Sequence, residues 1–233
     1  MGVLLFIAAE AREFRGLLRR CEDVRRLAWP PLRWVRSVRL RGREAVLVAN
    51  GMGAKCSAEA AEVVRRHVEP DAIVSYGFCG ALDPDLALSA VLVASEVRWP
   101  GGALPALAPR TSRSYATGVL LSGEHVVCTA REKRELRATG AAAVEMEAAG
   151  LAPLVRQWSL RFSCVRAVSD TASEDLPLDF NAMRGSDGQL RQARIVSAAL
   201  RHPLAIAPGL WRLREATHAA SEALGDFVAD CQF

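Results

Sequence analysis

Short runs of Val, Ile and Leu with almost no polar residues, separated by longer segments of helical periodicity, constrain this chain more than any single motif does. A strand buried on both faces needs no polar alternation, so such runs specify strands at the centre of a sheet covered by helices. The strands read this way are residues 3–9, 45–50, 72–76, 90–95, 125–129 and 162–168, with 34–40 as a partly exposed hairpin partner. Helices are expected over 11–20, 55–67, 131–139, 147–158, 190–201 and 208–228, and the Gly- and Pro-rich stretch 100–109 reads as a loop. The fold class is α/β, and no repeat or linker divides residues 1–233.

Composition narrows the function classes. At 51% hydrophobic and 24% charged residues the chain is a folded globular protein, and a net charge of +4 is too small to announce a nucleic-acid binder. The basic residues are nearly all arginine, Lys55 and Lys133 being the only lysines. The six cysteines form no CxxC pair and no zinc-ligand spacing, so reduced thiols and no metal site are expected. The apolar run at residues 3–9 is followed directly by acids, unlike a secretory signal, and no stretch approaches the ~20 apolar residues of a membrane span. A soluble cytoplasmic protein is expected.

Five segments place polar residues where strands end, the edge at which open α/β sheets bind ligands. Ala8-Ala9-Glu10-Ala11-Arg12-Glu13 delivers two acids after the first strand, where they would also suit a helix N-terminus. Asn50-Gly51-Met52-Gly53 brings bare backbone N–H groups to a turn, but lacks the third glycine of a dinucleotide fingerprint and the ending of a P-loop. Gly77-Phe78-Cys79-Gly80 presents an aromatic ring that either stacks on a flat ligand or belongs to the core. Glu145-Met146-Glu147 puts carboxylates at a helix start; Glu147 suits two adjacent ribose hydroxyls because a carboxylate only accepts. Arg166-Ala167-Val168-Ser169-Asp170 ends a buried strand in an acid, which serves either as a turn cap or, partly desolvated, as a proton donor.

Together, FIAAEAREF, VLVANGMGAKCSAEAA, PDAIVSYGFCGALDP, LLSGEHVV, AVEMEAAGLA and FSCVRAVSDTA resemble the nucleoside phosphorylase and nucleosidase superfamily over roughly residues 3 to 172. The similarity is best to its methylthioadenosine/S-adenosylhomocysteine nucleosidase branch. The resemblance implies a single domain with a central mixed, twisted sheet flanked by helices. It also implies cleavage of the bond between a purine and ribose in a 5′-substituted nucleoside, releasing adenine, with no cofactor. On that resemblance Asp170 is the proton donor to the purine and Glu13 orients the attacking water. Glu147 holds the ribose diol, Met146, Val126 and Val127 wall the pocket, and Arg166 orders the region, with Phe78, Ser169 and Gly51 also at the substrate. The partner is then a small purine nucleoside, and the family implies a homodimer.

Phe78 stands where many relatives carry serine, and Ser75 where the phosphorolytic relatives carry arginine. Losing those donors favours water over phosphate as the nucleophile, since phosphate sites need converging positive charge or hydrogen bonds. A phosphate-dependent phosphorylase remains the alternative, with phosphate as co-substrate and Arg12 as a compensating cation, and a non-catalytic nucleoside-binding domain is a second. Residues 174–233 form a divergent helical extension resembling a hopanoid-biosynthesis subgroup of the phosphorylases, which implies an adenosylhopane-type substrate. Trp99, Leu104, Leu107, Leu210 and Trp211 are candidates for an apolar 5′ side, and the Arg-rich tail for peripheral contact with a membrane. Futalosine-type nucleosides also stay open.

Overall fold

The computed structural model describes residues 2–185 and 187–233. Its strands are β1 Val3–Ala8, β2 Glu22–Leu27, β3 Trp34–Leu40, β4 Arg43–Ala49, β5 Pro70–Ala81, β6 Val91–Trp99, β7 Gly102–Pro105, β8 Ala116–Ser122, β9 Ala143–Glu145 and β10 Arg161–Asp170. Its helices are α1 Arg15–Leu18, α2 Ala54–Arg65, α3 Ala130–Arg137, α4 Ala148–Trp158, α5 Phe180–Met183, α6 Gln192–Arg201 and α7 Pro203–Ala229. The strands form one mixed sheet in the order β10-β6-β8-β9-β5-β1-β4-β3-β2. β10 also pairs with β5, so that β5, β10, β6, β8 and β9 close into a ring. β4, β1, β5 and β10 run parallel and bring their carboxyl ends to the same edge.

Burial explains this order. Leu5, Ile7, Val46, Val48 and Ile73 point to the sheet face covered by α2 and α4, while Leu4, Phe6, Leu47, Val74 and Tyr76 point to the face covered by α7. Successive residues of one strand fill opposite layers, which is why its sequence reads as a continuous apolar run.

Several boundaries differ from expectation. Residues 11–20 form a 3₁₀ turn over Ala11–Phe14 followed by the single turn α1, and the Glu13 carboxylate folds back to accept the Glu10 N–H (2.8 Å). Residues 125–129 are not a strand. Their backbone is held by the Asn181 side chain, which pairs with both the N–H and the carbonyl of Val126 (2.8 Å each), and by the Leu176 N–H on the Cys128 carbonyl. The expected loop at 100–109 contains β7, antiparallel to β6. α7 begins five residues before the expected 208, with Pro203 in its first turn, where a missing N–H leaves no bond unmade.

α4 crosses α2 at Gly150, where a Cβ would lie 1.9 Å from the Ala54 carbonyl oxygen and 2.6 Å from Ser57 Oγ. Ser57 in turn donates to the Glu147 carbonyl (2.6 Å), so this close approach also sets where the strand β9 hands over to α4. Gly150→Ala is expected to lower the unfolding free energy by about 1–3 kcal/mol through overpacking, read as a reduced midpoint at constant slope in urea.

Candidate active site

At the carboxyl ends of β1, β5, β9 and β10 lies a cleft that opens to solvent. Its wall includes Glu13, Phe78, Val126, Val127, Met146, Glu147, Ser169 and Asp170, so the acids from three distant segments share one hollow. Two sequence candidates do not line it. Gly51 (φ +121°) donates its N–H to the Ala9 carbonyl and packs against Gln189, where a Cβ would lie 2.7 Å from the amide nitrogen. Arg166 lies beneath the floor and is fully buried.

Arg166 organises the carboxylates from below. It donates to the Ser75 hydroxyl (2.6 Å) and the Tyr76 carbonyl (3.1 Å), forms an ion pair with Glu145, and reaches Glu147 Oε2 at 3.5 Å. Glu145 also accepts the N–H groups of Glu147 (2.9 Å) and Ala148, capping α4, which leaves Glu147 to face the cleft. Glu147 Oε1 accepts the Gly53 N–H (3.1 Å), at the positive end of α2. Two glycines of the β5 turn make room: a Cβ on Gly77 (φ +143°) would lie 2.6 Å from Glu13 Oε1, and one on Gly80 would lie 2.9 Å from Asp170 Oδ2.

The acids differ in surroundings. Glu13 accepts the N–H groups of Phe78 (3.0 Å) and Glu10 (2.8 Å). Burial still raises its proton affinity, outweighing those bonds and the Arg166 charge. Burial, and secondarily the Glu145 charge, push the Glu147 carboxyl up to about 8. Asp170 is held at both oxygens, Oδ1 accepting from Ser169 Oγ (2.7 Å) and Oδ2 lying 2.6 Å from the Lys133 ammonium. A raised carboxyl suits a group that takes a proton from water near neutrality.

Sequence reading missed Lys133 on α3 and the contribution of the C-terminal third, from which Leu176, Phe180, Leu190, Leu213 and Thr217 reach the cleft. The one available signal for Lys133 was its rarity in a chain that uses arginine everywhere else but position 55. The proposed apolar residues Trp99, Leu104, Leu107, Leu210 and Trp211 do not line the cleft; Trp99 and Leu104 instead belong to the paired strands of the β6–β7 hairpin. Met52, Val126, Phe180, Leu190 and Leu213 provide its apolar wall instead. Among the described residues no group of three or more His, Cys, Asp or Glu is arranged to hold a metal ion, and no helix is long and apolar enough to cross a membrane.

The family described as the phosphorylase superfamily matches this chain over residues 33–109 and 103–201. A 5′-methylthioadenosine/S-adenosylhomocysteine nucleosidase of Shewanella pealeana is 27% identical over 172 residues, 61% of this chain and 75% of the relative. The nucleosidase of that name from Neisseria meningitidis, solved in complex with methylthio-immucillin-A, superposes with a TM-score of 0.73 at 20% identity, covering 99% of this chain and 98% of that one. The futalosine hydrolase of Helicobacter pylori gives 0.69 at 16% identity, covering 98% and 96%. At these identities the two solved structures show a shared fold.

The raised Glu147 carboxyl predicts a pH dependence of stability. Because the folded state holds its proton to a higher pH than the unfolded chain does, this contribution is full below pH ~4.5 and is lost as pH rises toward 8. Glu147→Gln is expected to flatten the decline of the melting temperature between pH 5 and 8 (about the interval between the ordinary and raised values), checked by thermal melts across that range.

Proposed function

The chain belongs to the phosphorylase superfamily, and we propose that it is a purine nucleosidase: it uses water to cleave the N-glycosidic bond of a 5′-substituted adenosine and releases adenine. The convergence of Glu13, Glu147 and Asp170 in one cleft carries this reading. As the bond from C1′ to N9 breaks, its electron pair moves into the purine and Asp170 delivers a proton to N7, turning the base into a neutral leaving group. The sugar passes through an oxocarbenium-like state, as in glycoside cleavage. Water adds to C1′ and its proton passes to Glu13. Glu147 accepts hydrogen bonds from the 2′ and 3′ hydroxyls, while Phe78, Val126, Val127 and Met146 pack against the base and sugar, and Ser169 holds Asp170. Acid, base and binding carboxylate supply the chemistry without a metal or organic cofactor.

Water is favoured over phosphate on electrostatic grounds. The arginine in the cleft wall, Arg12, is already paired with Glu10, and Ser75 is engaged by Arg166. The relatives named nucleosidases act on methylthioadenosine and S-adenosylhomocysteine by their names, which supports a thioether-bearing adenosine as substrate. The apolar wall formed by Met52, Phe180, Leu190 and Leu213 suits such a substituent. Adenine release from methylthioadenosine is expected to proceed equally with and without phosphate, and Asp170→Asn to lose about 10²–10⁴ in rate. Acceleration by phosphate would replace hydrolysis with the phosphorylase alternative, and purine binding without release would leave only a binding domain.

A larger apolar 5′ group, of adenosylhopane type, is the second reading. A groove containing Leu88, Pro177 and Trp211 meets the cleft at Ser169, Asp170, Leu176 and Leu213. The neighbouring α6 buries none of its residues, Leu200 and Leu204 stand exposed, and no acidic residue occurs between Asp187 and Glu215 while five arginines do. That face fits an anionic lipid surface. The homodimer implied by the family resemblance would seat a second copy at the groove containing Gly53, Trp99 and Gly101, which shares Met52 with the cleft. Light scattering is expected to give a dimer mass, and phosphatidylglycerol vesicles to retain the protein at low salt and release it at high salt; absence of retention at low salt removes the membrane contact.

A further inference from the structure

Lys133 has no task in the reaction as written, yet it is fully buried and its Nζ lies 2.6 Å from Asp170 Oδ2. Its other contacts are the carbonyls of Thr171 (2.7 Å) and Glu174 (3.0 Å). An ammonium has three N–H donors, and all three are thereby engaged. Asp170 in turn receives donors at both oxygens, from Lys133 and from the Ser169 hydroxyl. Such a set of partners fits a carboxylate, whereas the departing purine requires a carboxyl with a proton to give. The donors that face Asp170 are thus the Lys133 nitrogen and the Ser169 hydroxyl.

General chemistry explains how that proton is supplied. A carboxyl in water releases its proton at about pH 4 and an alkylammonium at about pH 10, so at neutrality the lysine is the member of such a pair that still holds one. Purine N7 becomes strongly basic only while the bond to C1′ breaks. A proton relayed at that moment is matched to its acceptor, whereas an isolated aspartate would usually be empty.

We propose that Lys133 is a positioning residue that makes Asp170 a proton donor at neutral pH. As the bond from C1′ to N9 breaks and its electrons enter the purine, Nζ passes a proton to Oδ2 and the Asp170 carboxyl passes one to N7. The amine left behind is reprotonated from solvent after adenine departs, and water adds to C1′ with its proton going to Glu13. This inference rests on the nucleosidase reading and adds the source of the proton.

The test uses the full chain with Lys133→Met, Lys133→Arg and Asp170→Asn. Two quantities are measured: single-turnover adenine release from methylthioadenosine, and affinity for a 9-deazaadenine analogue whose N7 already bears a hydrogen. Lys133→Met is expected to lower the rate by about 10²-fold, the scale of general acid catalysis, with analogue affinity unchanged because that ligand needs only a carboxylate acceptor. Lys133→Arg keeps charge and donors but does not surrender a proton, so it stays as slow and decides the matter if the methionine variant does not fold. Full rate in either variant, or parallel loss of rate and analogue affinity, overturns the inference. Full rate in Asp170→Asn overturns the nucleosidase reading itself.

Discussion

One buried cation holds the acidic cleft together. Arg166 has no solvent exposure, and Glu13, Glu145 and Glu147 are all at least nine-tenths buried around it. Carboxylates removed from water at such close range would repel each other and lose hydration, and a central guanidinium lessens both costs. The acids divide the available donors among them. Glu145 takes the ion pair and the α4 cap, Glu13 takes two backbone N–H groups, and Glu147 takes one N–H while keeping acceptor capacity toward the cleft.

The three cleft acids are therefore prepared by different means. Glu13 and Glu147 have their proton affinity raised chiefly by desolvation. Asp170 instead sits at the end of β10 between a hydroxyl and an ammonium. Backbone geometry makes this density of charge feasible, since the glycines at 77 and 80 leave space that any side chain would fill. The turn containing Phe78 is thus a device for bringing a strand close to carboxylates as much as a place for an aromatic ring.

Central strands were legible because β1, β4, β5 and β10 are buried nearly end to end, and hydrophobic continuity is the trace that such burial leaves in a sequence. β2 left none: its residues are mostly exposed and charged, and it exists as an edge paired to β3. β9 has three residues, too few to show a period. The Val126-Val127 segment looked like a strand for its side chains, but its backbone partner is Asn181, more than fifty residues away. The acids of the cleft could be found because they stand at strand ends in short motifs. Lys133 and the side chains of the C-terminal third could not, since each reaches the site through a tertiary contact with no local pattern.

α7 touches the site at its least obvious point. Ser221, on that helix, accepts the Gly16 N–H (3.1 Å) and directs its hydroxyl at the carbonyls of Arg12 and Glu13 (3.1 and 3.0 Å). The loop bearing an acid from the beginning of the chain is anchored by a residue more than two hundred positions later. During synthesis, then, a ribosome that has already produced all three acids still holds an unfinished cleft. Premature termination between Asp170 and α7 would yield a fragment with the whole set of acids but without the Ser221 hydroxyl that anchors the backbone at Arg12 and Glu13.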